Sequence, residues 1–199
     1  MKKLMIAAAI VCAAAVSQGA VTKWKATTGS SGVIYDGYLN TGSGYSETAL
    51  AGQTMYLIAV ATDTTGIGIS QGKLLEAFRN DGKDFNLASY AIRDNGDGVN
   101  NGKTGSGSSA GKISGFTTNN GSADSGDFHV ESGLQYNFYL ATVINDGEKD
   151  WLYMSDSVPS PAGNSSTVKT LQFTATKTSS LNNFGAGDYS VGGWYSAVP

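Results

Sequence analysis

Beyond residue 20 the apolar residues of this chain come in short runs, and each run is closed by a cluster of Gly, Asn, Ser or Asp. A helix that packs on a core needs an apolar stripe sustained over about three turns. A strand needs only alternate apolar residues over roughly four to eight positions. Punctuation of this kind therefore favours β structure, and the 27 glycines against 3 prolines supply turns throughout. At 199 residues the chain suffices for one domain with its own core. Charged residues make up 15% of it, well under the roughly 25% usual in soluble domains, which excludes disorder driven by charge.

The run Thr54–Ala61 (TMYLIAVA) is apolar at nearly every position and so reads as a central strand covered on both faces. Val21–Ala26, Gly32–Asp36, Asn86–Arg93, Lys112–Thr117, Asp127–Glu131, Leu134–Asn145, Trp151–Met154, Val168–Ala175 and Tyr189–Val198 read as further strands. Asn145-Asp146-Gly147-Glu148, set between two apolar runs, is the strongest hairpin signal. One helix is expected at about Gln71–Arg79, where Leu74, Leu75 and Phe78 share a face. Ser70 is placed to cap it, Ile69 and Leu74 to form a hydrophobic staple, and Asn80-Asp81-Gly82 to stop it. The expected fold is all-β: a single antiparallel β-sandwich over residues 21–199, within which a jelly-roll-like topology fits, plus this one short helix.

Residues 1–20 are different material. Lys2 and Lys3 precede the apolar run Leu4–Val16 and the small-residue stretch Ser17-Gln18-Gly19-Ala20. The pattern is that of a secretory signal peptide, too short for a transmembrane helix of about 20 apolar residues. Cleavage near Val21 would remove Cys12, the one cysteine, and leave 11 basic against 16 acidic residues, a net of −5. Without a basic cluster, nucleic acid is excluded as a partner. Insertion into a membrane after cleavage is excluded too.

Candidate chemistry is sparse. Asp94-Asn95-Gly96-Asp97-Gly98-Val99-Asn100-Asn101 has the look of a calcium loop, with Asp94, Asp97 and Asn101 as the oxygen donors. Counted as an EF-hand from Asp94, however, Gly96 falls on a ligand position and Gly105 where a bidentate Glu belongs. Asn95–Gly111 and Thr118–Gly126 read instead as mobile polar loops, and the expectation is a protein without cofactor, calcium being the alternative. Strand alternation would put Asp127, His129 and Glu131 on one face. His129 is the only histidine, which leaves the usual catalytic zinc and two-histidine iron sites unbuildable. No carboxylate pair sits in a motif that selects it for glycoside hydrolysis, so that activity ranks last. Aromatic residues are the remaining carriers of function: Tyr38, Tyr45 and Trp194 would form a glycan-stacking face if exposed, whereas Tyr136–Leu140 and Trp151–Met154 alternate like core.

The leader Met1–Ala20, the early Trp24, the central Tyr56-Leu57-Ile58 and the closing Gly192-Gly193-Trp194-Tyr195-Ser196-Ala197-Val198-Pro199 resemble large paralogous sets of exported bacterial surface proteins of the PEP-CTERM-associated type. In those, a tail opening Val-Pro-Glu-Pro continues into an apolar segment and an arginine cluster. This sequence ends at Val198-Pro199, where such a tail opens. The resemblance implies export to a bacterial cell surface or extracellular matrix and brings no catalytic residues. The functional expectation is a secreted or cell-surface, non-enzymatic structural or interaction protein that partners with itself or with other surface proteins. The alternative is a glycan binder like a carbohydrate-binding module, with polysaccharide as its ligand.

Overall fold

The computed structural model describes residues 22–29, 32–39, 46, 48–62, 68–92, 101–114, 116–120, 135–161, 169–174, 181–182 and 193–196. Residues 1–20, expected as a signal peptide, lie outside these residues, as do Tyr45, Asp94, Asp97 and the Asp127–Glu131 segment. Among them the strands are β1 (Thr22–Thr27), β2 (Thr54–Ala61), β3 (Asn101–Lys103), β4 (Phe116–Asn120), β5 (Gln135–Asn145), β6 (Asp150–Met154), β7 (Val158–Pro161), β8 (Lys169–Gln172), β9 (Leu181–Asn182) and β10 (Gly193–Ser196). Among the described residues one α-helix, α1, spans Gln71–Asp81. The all-β class stands.

The strands form two sheets. The smaller has the order β4-β1-β8; the larger runs β3-β2-β5-β6-β10-β9, with β7 also paired to β5. Pairing is antiparallel except for β1 with β8 and β9 with β10, which are parallel. The expectation of a wholly antiparallel structure is corrected at those two ladders. β5 is long enough to take β6 along one end and β7 along the other. Ser155 closes the seam between them: its N–H donates to the Leu140 carbonyl at 2.8 Å, and its hydroxyl accepts from the Leu140 N–H at 2.9 Å.

As its composition requires, β2 is buried on both sides. Met55, Leu57 and Ala59 join a cluster with Tyr136, Phe138 and Leu140 of β5 and with Ala26, Leu171 and Phe173, which come from the smaller sheet and its margin. Ile58 points the other way, into a cluster with Tyr139, Leu152 and the apolar stripe Leu74, Leu75 and Phe78 of α1. The larger sheet thus has the smaller sheet against one face and a helix against the other. That helix begins as its sequence indicates, with the Ser70 hydroxyl accepting from the Lys73 N–H at 3.3 Å, and Ile69 and Leu74 share the second cluster. Two further bonds seat it: the Tyr139 hydroxyl donates to the Ile69 carbonyl, and Gln71 Nε2 donates to the Ser155 carbonyl at 2.8 Å.

Several expected strands are something else. Asn86–Arg93 contains a three-ten turn at Leu87–Tyr90, because the Asn86 side chain accepts from the Ala88 N–H at 3.2 Å and offers the backbone a local alternative to a ladder. Gly32–Asp36 makes only an isolated bridge, Tyr35 to Ala49, before a three-ten turn at Gly37–Leu39. Lys112–Ser114 is irregular, and the strand expected there begins at Phe116. Of the expected mobile loop Asn95–Gly111, the described part, residues 101–111, is tied down. β3 pairs with β2, the Thr104 N–H donates to the Gln53 carbonyl at 2.9 Å, and the Gly111 N–H donates to the Leu50 carbonyl at 2.6 Å. Gly111 has φ +71°, and a Cβ there would lie 2.5 Å from the Ile34 carbonyl oxygen. The glycine serves close backbone approach, not looseness.

Phe78 is fully buried and meets Phe85 edge-on at 5.1 Å. Phe78→Ala is expected to cost about 3–5 kcal/mol in urea unfolding, and Glu76→Ala on the exposed side of α1 less than about 0.5 kcal/mol. Equal effects would show that α1 does not seal the sheet.

Candidate functional site

Among the described residues, aromatic and acidic side chains gather where the β5–β6 hairpin meets the Gly37–Leu39 turn. Its base is Trp194 on β10, 0% exposed, whose indole N–H donates to the Tyr35 carbonyl at 3.0 Å. Tyr153 lies 5.3 Å from its ring, and Tyr38 lies 4.7 Å from it on the opening side. Tyr38 also leans on Trp151, centroid to centroid 6.0 Å. Register places Trp194 opposite Tyr153 in the β10–β6 ladder, so the cluster follows from strand pairing.

Asp146 governs the outer end. Its Oδ2 accepts from Trp151 Nε1 at 2.7 Å, and its Oδ1 accepts from the Glu148 and Lys149 N–H groups at 2.9 Å each. Gly147 takes φ +98°, which lets the four-residue turn close. Lys149 Nζ lies 4.4 Å over the Trp151 ring, a cation–π contact that covers the indole. Fully exposed, the Asp146 carboxyl is held down from its ordinary 3.8 to about 2, first by the Trp151 bond and then by the two backbone bonds. Asp36 is 8% exposed and accepts from the Thr48 N–H at 2.8 Å. Burial, then the charges of Asp36 and Asp146, raise the Tyr38 phenol, so it stays neutral and able to donate.

Of the sequence candidates, Trp194 is corrected: it is core, 0% exposed and with its N–H engaged, on a strand that lies between β6 and β9. Tyr38 keeps part of its surface open but packs against the first cluster. Asn101 is not on a loop tip; its backbone pairs with Tyr56 in the β3–β2 ladder. Among the described residues no group of three or more His, Cys, Asp or Glu side chains is gathered as a metal site. Asp146 was absent from the candidates, although an Asp in a hairpin turn five residues before a Trp is a readable signal. Two surface clefts lie elsewhere, about 420 Å³ beside Lys73, Glu76 and Arg79 on the outer side of α1 and about 340 Å³ beside Thr27, Ser109 and Lys112.

No protein-family model matches the chain, and neither the curated proteins nor the solved structures yield a similar one.

Two expectations follow from this geometry. A carboxyl whose folded-state pKa is depressed adds stability that is complete above its unfolded pKa and drains as pH falls through the folded value. The melting-temperature gap between the unaltered protein and Asp146→Asn should therefore be constant above about pH 5 and close between about pH 4 and 2. A gap that stays flat through that window would mean that the charge on Asp146 is irrelevant. The Tyr153 hydroxyl is fully buried and has no hydrogen-bond partner. Tyr153→Phe should gain roughly 1 kcal/mol in urea unfolding, because an unpartnered buried hydroxyl carries its desolvation penalty uncompensated. A clear loss would reveal a partner for the phenol.

Proposed function

We propose that the chain is an exported, non-enzymatic structural or surface-interaction protein, working at a bacterial cell surface or in its extracellular matrix by association with its own kind or with other surface proteins. The observation that supports this most is the internal engagement of the large aromatics. Trp194 is 0% and Trp151 7% exposed, and each indole N–H is bonded within the fold. A sugar-binding face needs exposed, coplanar rings with polar groups free beside them. Here the rings pack two neighbouring strands of the larger sheet, β6 and β10, against a turn. Export rests on the leader pattern of residues 1–20, and no cofactor is part of the reading.

Glycan binding is the second reading, and Tyr38 carries it. Its ring is braced by Trp151 and Trp194, and its phenol is flanked by Asp36 and Asp146. Hydrolysis ranks below both, because the Asp146 and Asp36 carboxylates already accept backbone N–H bonds. Expressed with its leader in a bacterial host, the protein should appear in the surface or matrix fraction with an N-terminus between Gln18 and Val21 by intact mass. It should show no saturable binding on a polysaccharide array. Retention of the leader in the cytoplasm would sink the export reading; array binding abolished by Tyr38→Ala would put glycan recognition first.

A further inference from the structure

We infer that β1 is an exchangeable strand, and that the slot it fills between β4 and β8 accepts the β1 of a second copy of this chain. This deepens the proposed function by naming the partner and the surface.

The argument starts from the order β4-β1-β8. β1 is the middle strand, and it joins two strands that do not pair with each other. Its ladder to β4 runs antiparallel from Thr22↔Asn120 to Ala26↔Phe116, and its ladder to β8 runs parallel from Trp24↔Lys169 to Thr27↔Gln172. The slot has one antiparallel and one parallel wall, and Ala26, buried in the first cluster with Leu171, sets the register of the strand that fills it. At the strand's end, the Phe173 N–H donates to the Thr27 carbonyl at 2.8 Å, the Thr28 N–H to the Ile113 carbonyl at 3.2 Å, and the Ile113 N–H to the Thr28 hydroxyl at 3.0 Å. The unit that docks is therefore residues 22–28.

With residues 1–20 removed, as the proposed function has it, what ties that unit to its own molecule is the connection Gly29-Ser30-Ser31-Gly32, whose composition is that of a flexible linker. Gly29 already takes φ +68°. Both walls of the slot come from remote sequence. If the connection opens outward, each bond just named is remade with an identical strand from a neighbour. The exchange then costs association entropy and the hinge change, while the contacts themselves are conserved. Reciprocal exchange closes a dimer, and one-way exchange runs on as a chain of copies; both fill the same slot.

The test uses the chain from Val21 onward, which holds every described residue and no cysteine. Lys25 and Thr117 are opposite one another in the β1–β4 ladder. Lys25→Cys and Thr117→Cys proteins are unfolded together, refolded at high concentration and oxidised. A disulfide between the two different copies is expected, mapped by peptide mass, in several-fold excess over that from Lys25→Cys mixed with Asp156→Cys. Carried in one chain and oxidised while dilute, the two cysteines should close internally and suppress assembly. A mixed yield equal to the mismatched pair, or unchanged assembly of the internally locked chain, overturns the inference. Lys23→Cys with Asn119→Cys repeats the test two pairs along should the first variants fold poorly. Matrix retention without the cross-link removes strand exchange and leaves the proposed function standing; the cross-link without retention does the reverse.

Discussion

The ladder between β2 and β5, from Tyr56↔Ala141 to Ala61↔Tyr136, is the interaction on which the other parts depend. Both strands are apolar on both faces, so neither side of this pair tolerates water. One face recruits Ala26, Leu171 and Phe173 around the smaller sheet; the other recruits α1 and the Leu87–Tyr90 turn. The helix is in this sense a consequence of β2. A single amphipathic segment had to cover the face that the smaller sheet does not reach, and Leu74, Leu75 and Phe78 supply the stripe.

Burying a sheet on both faces obliges its polar groups to find partners inside. Thr142 is 1% exposed, accepts from Gln53 Nε2 at 2.8 Å and donates to the Thr54 carbonyl at 2.7 Å. Ser155 does the same at the β6–β7 seam, where a register break would otherwise orphan the Leu140 backbone. The Tyr139 hydroxyl reaches the Ile69 carbonyl and so couples sheet satisfaction to helix placement. Tyr153 departs from this pattern, and it lies against Trp194 in the aromatic cluster, where ring packing decides side-chain position.

How much of this was legible in the sequence follows from the range of the forces. β2, α1 with its Ser70 cap and the Asp146-Gly147 hairpin are local signals, and each appears where periodicity and turn chemistry place it. Asn86 was legible in kind but was outweighed: the apolar residues after it suggest a strand, while its side chain nucleates a three-ten turn. The glycines of 101–111 misled because composition cannot separate a flexible glycine from one required where chains touch, as Gly111 is at Ile34. Trp194 misled for a similar reason. A Trp flanked by Gly and Tyr stays a stacking candidate until β10 is known to lie inside the larger sheet.

The smaller sheet depends on the longest-range strand pairing among the described residues, and that has a kinetic consequence. Residue 24 pairs with residues 118 and 169, so β1 is made first and must wait for most of the chain before either wall exists. β2, β5 and β6 close through nearer contacts, with β5 and β6 joined by a four-residue turn, and they need nothing from β1 to pair. During that interval the larger sheet and its helix have a route to their own core, while β1 remains an unpaired strand tethered by Gly29–Gly32. At low concentration its own β4 and β8 are the nearest slot, because a short tether sets a high effective concentration. Where copies accumulate close together that advantage shrinks, and a neighbour's slot offers the same bonds. Concentration, not a change in sequence or cofactor, is then what divides a closed monomer from linked copies.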